Sequence, residues 1–275
     1  MSNQNPSIAK SILAGQYTVN YHDVGQGDPV LLIHGSGPGV TAFANWGKVM
    51  PVLSKTRRVI APDMLGFGYT ERKPGLVFNM DVWVKQAVDL LDALNLDTVD
   101  VVGNSFGGAL ALALAIRHPK RVRKLVLMGS MGVEFNITYG LDQVWGYQAS
   151  VENMRKVLDL FTYNKAMITD DLAKIRYEAS VQPGFQESFS SMFPYPRQKS
   201  VTMMASNEAD IRKIEHPTLI VHGNDDLVIP VDNAFKLLGL IGNSQLHIFN
   251  HCGHWTQIEH TNSFTALVDG FLSHA

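Results

Sequence analysis

The stretch VVGNSFGGALALALA (101–115) joins two apolar runs through a turn built largely from glycine. Its centre, GNSFG (103–107), matches the pattern G-x-S-x-G, which is typical of a sharp strand-to-helix turn that exposes a serine hydroxyl above a sheet. Glycines on both sides of the serine give such a turn the room that it needs. The stretch therefore predicts a buried strand, a nucleophilic Ser105 and a buried helix, although five residues alone fit a purely structural turn equally well.

Apolar runs on both sides of this turn predict the strands of a parallel sheet. They show continuous rather than alternating hydrophobicity, which indicates strands that helices cover on both faces. Helix-like stretches lie between the runs. Together they predict an α/β fold with a mostly parallel, doubly wound sheet. The predicted strands are 29–35, 57–63, 99–105, 124–130, 217–223 and 245–251, and the predicted helices are 80–96, 109–118 and 261–274.

Residues 131–209 interrupt this alternation, because no clear buried strand occurs in them. The segment is rich in methionine, aromatic and helix-forming residues. We interpret it as a helical lid inserted into one core that comprises residues 1–130 and 210–275. A segment inserted at the mouth of a sheet is well placed to cover a site there.

Composition excludes several classes of partner. The chain has 275 residues, a formal net charge of −2 and a single cysteine, Cys252. The absence of a basic field argues against nucleic acid and anionic membranes as partners. No apolar run approaches the roughly 20 residues that cross a bilayer, and the start MSNQNPSIAK (1–10) does not resemble a secretory signal. We expect a cytoplasmic protein with no membrane or nucleic-acid partner.

A serine nucleophile needs a base and a group that orients the base. In the fold class that G-x-S-x-G suggests, they follow in the order serine, acid, histidine. HGNDDLVIP (222–230) and NHCGHWTQIEH (250–260) each follow or end a predicted strand and supply these residue types in that order. The interpretation favours Asp226 over Asp225 as the acid, and His254 over His251 and His260 as the base. No further cysteine or histidine cluster completes a zinc site, so no metal is expected.

The stretch HGSGPG (34–39) follows the first predicted strand and has the position of an oxyanion loop. We predict that the backbone N–H groups of Ser36 and Phe106 form the oxyanion hole. A phosphate-binding turn of a dinucleotide fold is the competing interpretation, and Asp63 lies at a suitable later strand end. The stretch lacks the G-x-G-x-x-G spacing of such a turn, and an oxyanion loop also accounts for the serine, aspartate and histidine.

With these residues identified, nearly the whole chain resembles the meta-cleavage product hydrolases, α/β-hydrolases that split carbon–carbon bonds in bacterial aromatic degradation. The core motifs specify only the α/β-hydrolase superfamily, whereas HGSGPG together with GNSFGG, a lid arginine and CGHW is far more specific. The chain looks most similar to members that act on ring-fission products of alkylbenzenes such as toluene and cumene. The stretches that carry the resemblance are 34–39 with Asn45 and Trp46, 61–70, 103–108, 175–180, 182–193, 222–230 and 252–259.

The resemblance implies a reaction. Its substrates are 2-hydroxy-6-oxo-hexa-2,4-dienoates with a substituent at C6, which the resemblance favours as small alkyl over phenyl. The dienol becomes a keto tautomer, and the C5–C6 bond is then hydrolysed to a 2-hydroxypenta-2,4-dienoate and a carboxylic acid. No cofactor or metal takes part, and relatives are homo-oligomers, dimers or larger. Attack by water to a gem-diol and acyl transfer to the serine both remain open.

The resemblance also implies substrate-binding residues. Arg176, in the predicted lid, matches the arginine that holds the substrate carboxylate, although an arginine on a helix is usually solvated. Asn45, Asn104 and Gly37 match residues at the polar end of the pocket, and Trp255 matches a tryptophan that shapes it. Apolar candidates for the C6 pocket, each of which could equally be ordinary packing, are Met131, Phe135, Leu141, Trp145 and Met192.

Two other functions are consistent with parts of the sequence. A carboxylesterase of the same fold would share Ser105, Asp226 and His254 but would have no use for Arg176 and Asn104 together. A non-catalytic, nucleotide-binding α/β module would use none of them in chemistry. A haloalkane dehalogenase or epoxide hydrolase is disfavoured, because those enzymes need a carboxylate where Ser105 stands.

Overall fold

The computed structural model describes residues 5–273. Residues 1–4 and 274–275, which belong to the predicted core segments and to the predicted C-terminal helix, lie outside the described residues. The described chain contains eight strands that form one sheet. They are β1 (Lys10–Ala14), β2 (Tyr17–Val24), β3 (Pro29–Ile33), β4 (Arg58–Pro62), β5 (Val99–Asn104), β6 (Val122–Met128), β7 (Thr218–Gly223) and β8 (Ser244–Phe249).

The sheet has the strand order β1-β2-β4-β3-β5-β6-β7-β8. Strands β4, β3, β5, β6, β7 and β8 are parallel to one another, and β1 and β2 join as an antiparallel edge. The order reverses at β3, which lies between β4 and β5. Reversal of this kind leaves a crevice at the carboxyl ends of the strands, where ligands bind in open α/β sheets.

Helices cover both faces of the sheet. They are α1 (Ala42–Trp46), α2 (Met50–Leu53), α3 (Met80–Ala93), α4 (Phe106–Arg117), α5 (Tyr139–Trp145), α6 (Val151–Phe161), α7 (Asp170–Ser180), α8 (Phe185–Met192), α9 (Gln198–Met204), α10 (Glu208–Ile211), α11 (Asp232–Leu240), α12 (Thr256–Glu259) and α13 (Thr261–Ser273). Short 3-10 turns occur at 119–121 and 165–167. Within the described chain no helix is long and apolar enough to cross a membrane.

The core consists of two apolar layers, one on each face of the sheet. Alternate residues of β3 enter different layers: Leu31 and Ile33 pack with α3 and α4, whereas Val30 and Leu32 pack with α1, α2 and α13. Each face of a strand is therefore buried, which is why the predicted strands read as continuous apolar runs. Helix α4 lies inside the molecule except at its C-terminal end, since all residues 106–115 are buried.

The six strands predicted from the sequence are confirmed, and no end differs by more than two residues. The helix predicted at 109–118 begins earlier, at Phe106, because α4 starts directly at the turn. Strands β1 and β2 were not predicted. Their residues are partly exposed and pair as an antiparallel edge, so they lack the continuous hydrophobicity that identified the central strands.

Between β6 and β7 the chain forms helices α5 to α10 and no strand. Threonine, serine and asparagine caps start most of these helices; the Thr138, Ser150 and Thr169 side chains, for example, each accept a hydrogen bond from a backbone N–H of the first turn. Such caps satisfy donors that a helix leaves unpaired at its N-terminus. The segment passes over the carboxyl ends of the strands, where residues of α5, α6 and α7 line a cavity.

The glycines of the turn before α4 separate close backbone segments. A Cβ at Gly107 would lie 2.2 Å from the carbonyl oxygen of Ile33, and one at Gly103 would lie 2.2 Å from the carbonyl oxygen of Gly107. Backbone atoms cannot move away as a flexible side chain can. These two glycines therefore allow β3, β5 and α4 to approach one another.

Alanine substitution should have opposite effects on stability at Gly107, which lies against backbone atoms, and at Gly270, which has open space around it. Gly107→Ala should lower the free energy of unfolding by more than about 2 kcal/mol, because a backbone clash must be relieved. The control, Gly270→Ala in α13, has open space at its Cβ and should raise that free energy by up to about 1 kcal/mol. Urea unfolding followed by circular dichroism measures both, and equal effects would contradict the packing described for α4.

Candidate active site

Four loops at the carboxyl ends of β3, β5, β7 and β8 meet over the sheet. They carry Ser36, Ser105, Asp226 and His254. A cavity of about 440 Å³ lies between these loops and the overlying helices. Its lining residues are Gly35, Ser36, Gly37, Val40, Ala44, Asn45, Asn104, Ser105, Leu141, Val144, Phe161, Arg176, Val228, His254, Trp255 and Ile258.

Ser105 has a strained backbone, with φ of 56° and ψ of −114°. An L-residue other than glycine rarely adopts positive φ, and such strain is found mainly at functional sites. The turn is held on both sides, since the Ser105 N–H donates to the Met128 carbonyl (2.9 Å) and the Ser105 carbonyl accepts from the N–H groups of Gly108 and Met131. The strain fixes the side chain at the floor of the cavity.

Asp226 and His254 form a direct pair. The Nδ1 atom of His254 lies 2.7 Å from Oδ2 of Asp226, and both side chains are buried. The other carboxylate oxygen, Oδ1, accepts hydrogen bonds from the N–H groups of Val228 (2.8 Å) and Ile229 (2.9 Å). This arrangement directs the Nδ1 proton of His254 toward Asp226 and leaves Nε2 as the free nitrogen of the ring.

A second histidine contacts the same carboxylate. The Nε2 atom of His222, in β7, lies 3.2 Å from Oδ2 of Asp226. Burial by itself would raise the pKa of Asp226, but the charge of His254 and the hydrogen bonds from His254 and His222 outweigh it and hold this pKa well below its usual value. Sequence reasoning missed His222, because it lies inside a predicted strand and its contact with Asp226 forms only in the folded turn.

His34 fixes the peptide that precedes Ser36. Its Nε2 accepts a hydrogen bond from the N–H of Met64 (2.9 Å), so Nδ1 carries the proton and donates to the Gly35 carbonyl (2.7 Å). The Gly35–Ser36 peptide is trans, so the Ser36 N–H points away from that carbonyl. His34 thereby sets the direction of the Ser36 N–H. Burial lowers the pKa of His34 to about 4, which keeps the ring neutral.

The Ser36 hydroxyl contacts the helical segment above the sheet. It accepts a hydrogen bond of 3.0 Å from Nε1 of Trp145, at the end of α5. Trp145 in turn stacks on Phe193, with ring centroids 4.3 Å apart. Phe106 is the first residue of α4, and the N–H groups of a first helical turn have no partner inside the helix. Ser36 and Ser105 line the cavity, whereas Phe106, the next residue, is fully buried with its ring against Phe67 and Trp83 and does not line the cavity.

Arg176, on α7, lines the cavity with its charge unpaired. Its Nε atom is buried and has no hydrogen-bond partner among residues 5–273. Burial is the physical cause that lowers the pKa of Arg176, to about 10, and no acidic side chain opposes this effect. An arginine of this pKa still carries its charge at neutral pH. A desolvated cation without a counter-ion is costly, so this position favours an anionic ligand.

The other predicted polar residues surround Arg176. Asn45 uses Oδ1 to accept from the Gly35 N–H (3.3 Å), while its buried Nδ2 has no partner in the described part of the chain. Asn104 donates from Nδ2 to the Met128 carbonyl (3.4 Å). Trp255 stacks on Phe161 with centroids 4.9 Å apart. All these residues and Gly37 line the cavity.

Of the five apolar candidates from the sequence, only Leu141 lines the cavity. Trp145, Met131 and Met192 are buried in the core, and Phe135 packs against it. Val144, Phe161, Val228 and Ile258 supply other apolar walls instead. Sequence could not select them, since apolar residues that line a cavity and those that fill a core have the same composition.

A wider groove of about 1660 Å³ adjoins the cavity and shares Ala44, Asn45, Arg176, Trp255 and Ile258 with it. The outer wall of this groove comes from α7, the 167–168 turn and the chain near residues 5–7. Arg176 therefore stands where the groove meets the cavity. In residues 5–273 no group of three or more His, Cys, Asp or Glu side chains is arranged to hold a metal ion.

A doubly wound sheet with a strained serine after β5, a carboxylate after β7 and a histidine after β8 defines an α/β-hydrolase. The family described as alpha/beta hydrolase fold matches residues 28–261. This match and the sheet topology confirm the fold class predicted from the sequence.

Curated relatives match over almost the whole chain. The 2-hydroxy-6-oxo-2,4-heptadienoate hydrolase of Pseudomonas putida (strain F1) is 58% identical over 273 residues, which cover 99% of both chains. The 2-hydroxymuconate semialdehyde hydrolase of Pseudomonas sp. (strain CF600) is 57% identical over 270 residues, or 98% of this chain and 95% of the relative.

A solved structure is also similar. The meta-cleavage product hydrolase CumD of Pseudomonas fluorescens IP01, a serine-to-alanine variant complexed with acetates, superposes with a TM-score of 0.97, 53% identity and 98% coverage of both chains. The chain belongs to the meta-cleavage product hydrolases, which are hydrolases of carbon–carbon bonds in ketonic compounds.

His34 should remain neutral well below the pH at which a free histidine is protonated. Its pKa of about 4 lies below the ordinary value of 6.5, so the unfolded chain binds a proton that the folded chain excludes. This site therefore lowers the free energy of unfolding as pH falls from 6.5 to about 4. Nitrogen-15 NMR of the imidazole should show the Nδ1–H tautomer until about pH 4, and titration near 6.5 would contradict the hydrogen bonds described.

Proposed function

We propose that this enzyme hydrolyses the C5–C6 bond of 2-hydroxy-6-oxo-hexa-2,4-dienoates that carry a small alkyl group at C6. The observation that carries the proposal is one cavity lined both by Ser105 and His254, which pairs with Asp226, and by Arg176, whose Nε is buried without a partner in the described chain. A hydrolytic centre and a carboxylate-binding cation suit a substrate with a ketone at one end and a carboxylate at the other. The names of the two curated relatives support the same substrate class.

The proposed catalytic residues are Ser105, His254 and Asp226. His254 is the general base that receives a proton at Nε2. Its Nδ1–H donates to Oδ2 of Asp226, with 2.7 Å between Nδ1 and Oδ2, and the carboxylate stabilises the imidazolium. Ser105 supplies the hydroxyl at the reacting carbonyl. The N–H groups of Ser36 and Phe106 are the proposed oxyanion hole, in which fixed donors stabilise charge that develops on the C6 oxygen.

The carboxylate and the C2 oxygen of the substrate bind at the polar end. Arg176 can hold a carboxylate with two parallel hydrogen bonds, and the free Nδ2 of Asn45 can donate to a neighbouring oxygen. Asn104, Gly37 and Trp255 complete this end. The substrate carboxylate pairs the charge of Arg176, which has no partner in the free site. The binding energy therefore comes mainly from the carboxylate end of the substrate, away from the bond that breaks.

The chemistry follows from this placement. Protonation at C5 converts the dienol into a keto tautomer with a carbonyl at C2. Addition of an oxygen nucleophile at C6 gives a tetrahedral centre, and the C5–C6 electron pair then passes through the C3–C4 double bond to the C2 oxygen. Polar groups at the C2 end stabilise this negative charge, and the products are 2-hydroxypenta-2,4-dienoate and a carboxylic acid.

The C6 substituent is assigned to the apolar walls. Leu141, Val144 and Val228 lie on elements other than those that carry Arg176 and Asn45, and all three are well buried or line the cavity. Branched aliphatic side chains suit a methyl or isopropyl group better than a flat phenyl ring. We also assign residues 131–209 as a lid over a core of residues 1–130 and 210–275, since Arg176, Leu141 and Val144 all come from that segment.

Two features of the biological setting belong to the proposal. A cytoplasmic location is supported by Cys252, a free and buried cysteine, because secreted proteins more often pair their cysteines. We also propose a homo-oligomer, as the resemblance to the family implies.

Steady-state rates test the substrate class. The C6-methyl and C6-isopropyl dienoates should be hydrolysed faster than the C6-phenyl compound, and all three alkyl or aryl dienoates should outpace a simple aryl ester. Loss of the yellow dienoate absorbance measures the reaction. Preference for the ester would indicate a carboxylesterase, and the absence of any turnover would indicate a binding module.

Ser105→Ala should lower kcat by at least about 1000-fold while the dienoate still binds.

Arg176 tests the polar end of the site. Arg176→Gln should lower kcat/KM for the C6-methyl dienoate by about 30- to 200-fold, the loss of a charge-assisted pair of about 2–3 kcal/mol. Arg176→Lys should recover only part of it, because a lysine cannot make a bidentate contact.

The matched control is Arg155→Gln, on the neighbouring helix α6, where the arginine is paired with Asp170 at the surface. It should leave kcat/KM within about twofold, since exposed ion pairs contribute little. If both variants behave alike, Arg176 does not bind the substrate carboxylate.

A further inference from the structure

The carboxylate of Asp226 is held by more groups than the pairing with His254 requires. Its side chain is fully buried, and four donors reach its two oxygens. Oδ1 has the two backbone N–H groups after the turn, and Oδ2 has His254 at 2.7 Å and His222 at 3.2 Å. The fourth donor, His222, has no role in the reaction described above.

The tautomer of His222 follows from its contacts. Its Nε2 lies 3.0 Å from the carbonyl oxygen of Ile229 as well as 3.2 Å from Oδ2 of Asp226. Both partners are acceptors, so Nε2 must carry a proton that it shares between them. The other nitrogen, Nδ1, is buried without a partner in the described chain. A proton there would leave a buried donor unpaired, which disfavours the charged ring.

We propose that His222 is a positioning residue for the reaction: as a neutral Nε2–H donor it holds Oδ2 of Asp226 against His254 and limits how strongly that carboxylate retains a proton on the imidazole. The inference rests on the proposed roles of Asp226 and His254. It adds a second histidine, set in β7 beneath the turn, to the catalytic arrangement.

Geometry gives His222 this effect on both position and charge. The shared Nε2 proton of His222 links strand β7 to the 226–229 turn. Rotation of the Asp226 carboxylate would break the contacts of Oδ2 with both His222 and His254. A hydrogen bond to a carboxylate oxygen also withdraws charge from it, and a less negative carboxylate stabilises the protonated imidazole less. Removal of the donor should make His254 release its proton only at higher pH.

The titratable groups around Asp226 are few. Within residues 5–273, the titratable groups that act on it are His254, in the loop after β8, and His222, in β7. Cys252 senses the charge of Asp226 in return, but burial raises the pKa of its thiol to about 12, so it does not titrate in the range of the experiment. A shift between variants in the acidic limb of activity can therefore be assigned to the two histidines.

The test compares pH profiles of kcat/KM for the C6-methyl dienoate. His222→Leu removes the donor and should shift the acidic limb upward by about 0.5–1 pH unit and lower kcat by about 10-fold. His222→Gln places an amide N–H where Nε2 lies and should return the limb to within about 0.2 unit of wild type. Titration of the substrate enol is common to every variant, so the comparison between variants cancels it.

Two controls separate a positioning role from loss of stability. Ile220→Val shortens a buried side chain of the same strand, and this apolar side chain cannot donate a hydrogen bond to Asp226; the substitution should lower the denaturation midpoint and leave the acidic limb in place. Asp226→Asn should be nearly inactive. If Asp226→Asn retains activity, the proposed catalytic site is wrong. If it is inactive while His222→Leu leaves the limb unmoved, only the role of His222 is overturned.

A measurement on the wild-type enzyme covers the case in which His222→Leu does not fold. Nitrogen-15 NMR of the histidine rings should show His222 as a neutral ring with its proton on Nε2 across the active pH range. A ring protonated on Nδ1, or on both nitrogens, would overturn the proposal.

Discussion

The close approach of three backbone segments at the turn before α4 is the constraint on which the site depends. Gly103 and Gly107 have no Cβ, so β5, α4 and the end of β3 lie in direct backbone contact. That contact holds Ser105 at positive φ, which no local preference of serine would favour. It also brings the start of α4 against the end of β3, so Ser105 and Ser36 line one cavity. A side chain at Gly103 or Gly107 would push these backbone segments apart.

Some polar groups at the cavity have a hydrogen-bond partner at every position, and others lack a partner. Asp226 has four donors for one carboxylate, and His34 uses both ring nitrogens. Groups of this kind are rigid, and rigidity is what a positioning role requires. Arg176 and the Nδ2 of Asn45 instead face the cavity without partners. Such desolvated groups are costly in the free protein, and their cost falls when a ligand supplies the missing acceptor.

The helical segment between β6 and β7 contacts the hydrolase core at the site itself. Trp145 donates to the Ser36 hydroxyl, and Gly39 lies so near α7 that a Cβ there would approach the Ser180 nitrogen to 2.6 Å. Phe161, at the end of α6, stacks on Trp255. Because these contacts reach the loop that carries Ser36 and the residue after His254, a change in the position of the segment would also change the shape of the cavity.

The sequence by itself determined the six central strands, the turn at Ser105, the chain order of Ser105, Asp226 and His254, and the family. These features are local, because a buried strand, a glycine turn and each family motif occupy a short continuous stretch of sequence. Tertiary structure alone decided which apolar residues line the cavity, that Trp145 binds Ser36, and that His222 shares its proton with Asp226. The physical reason is that these contacts join residues that only folding brings together. The free energy of each polar group depends on whether it is buried and whether it has a hydrogen-bond partner there.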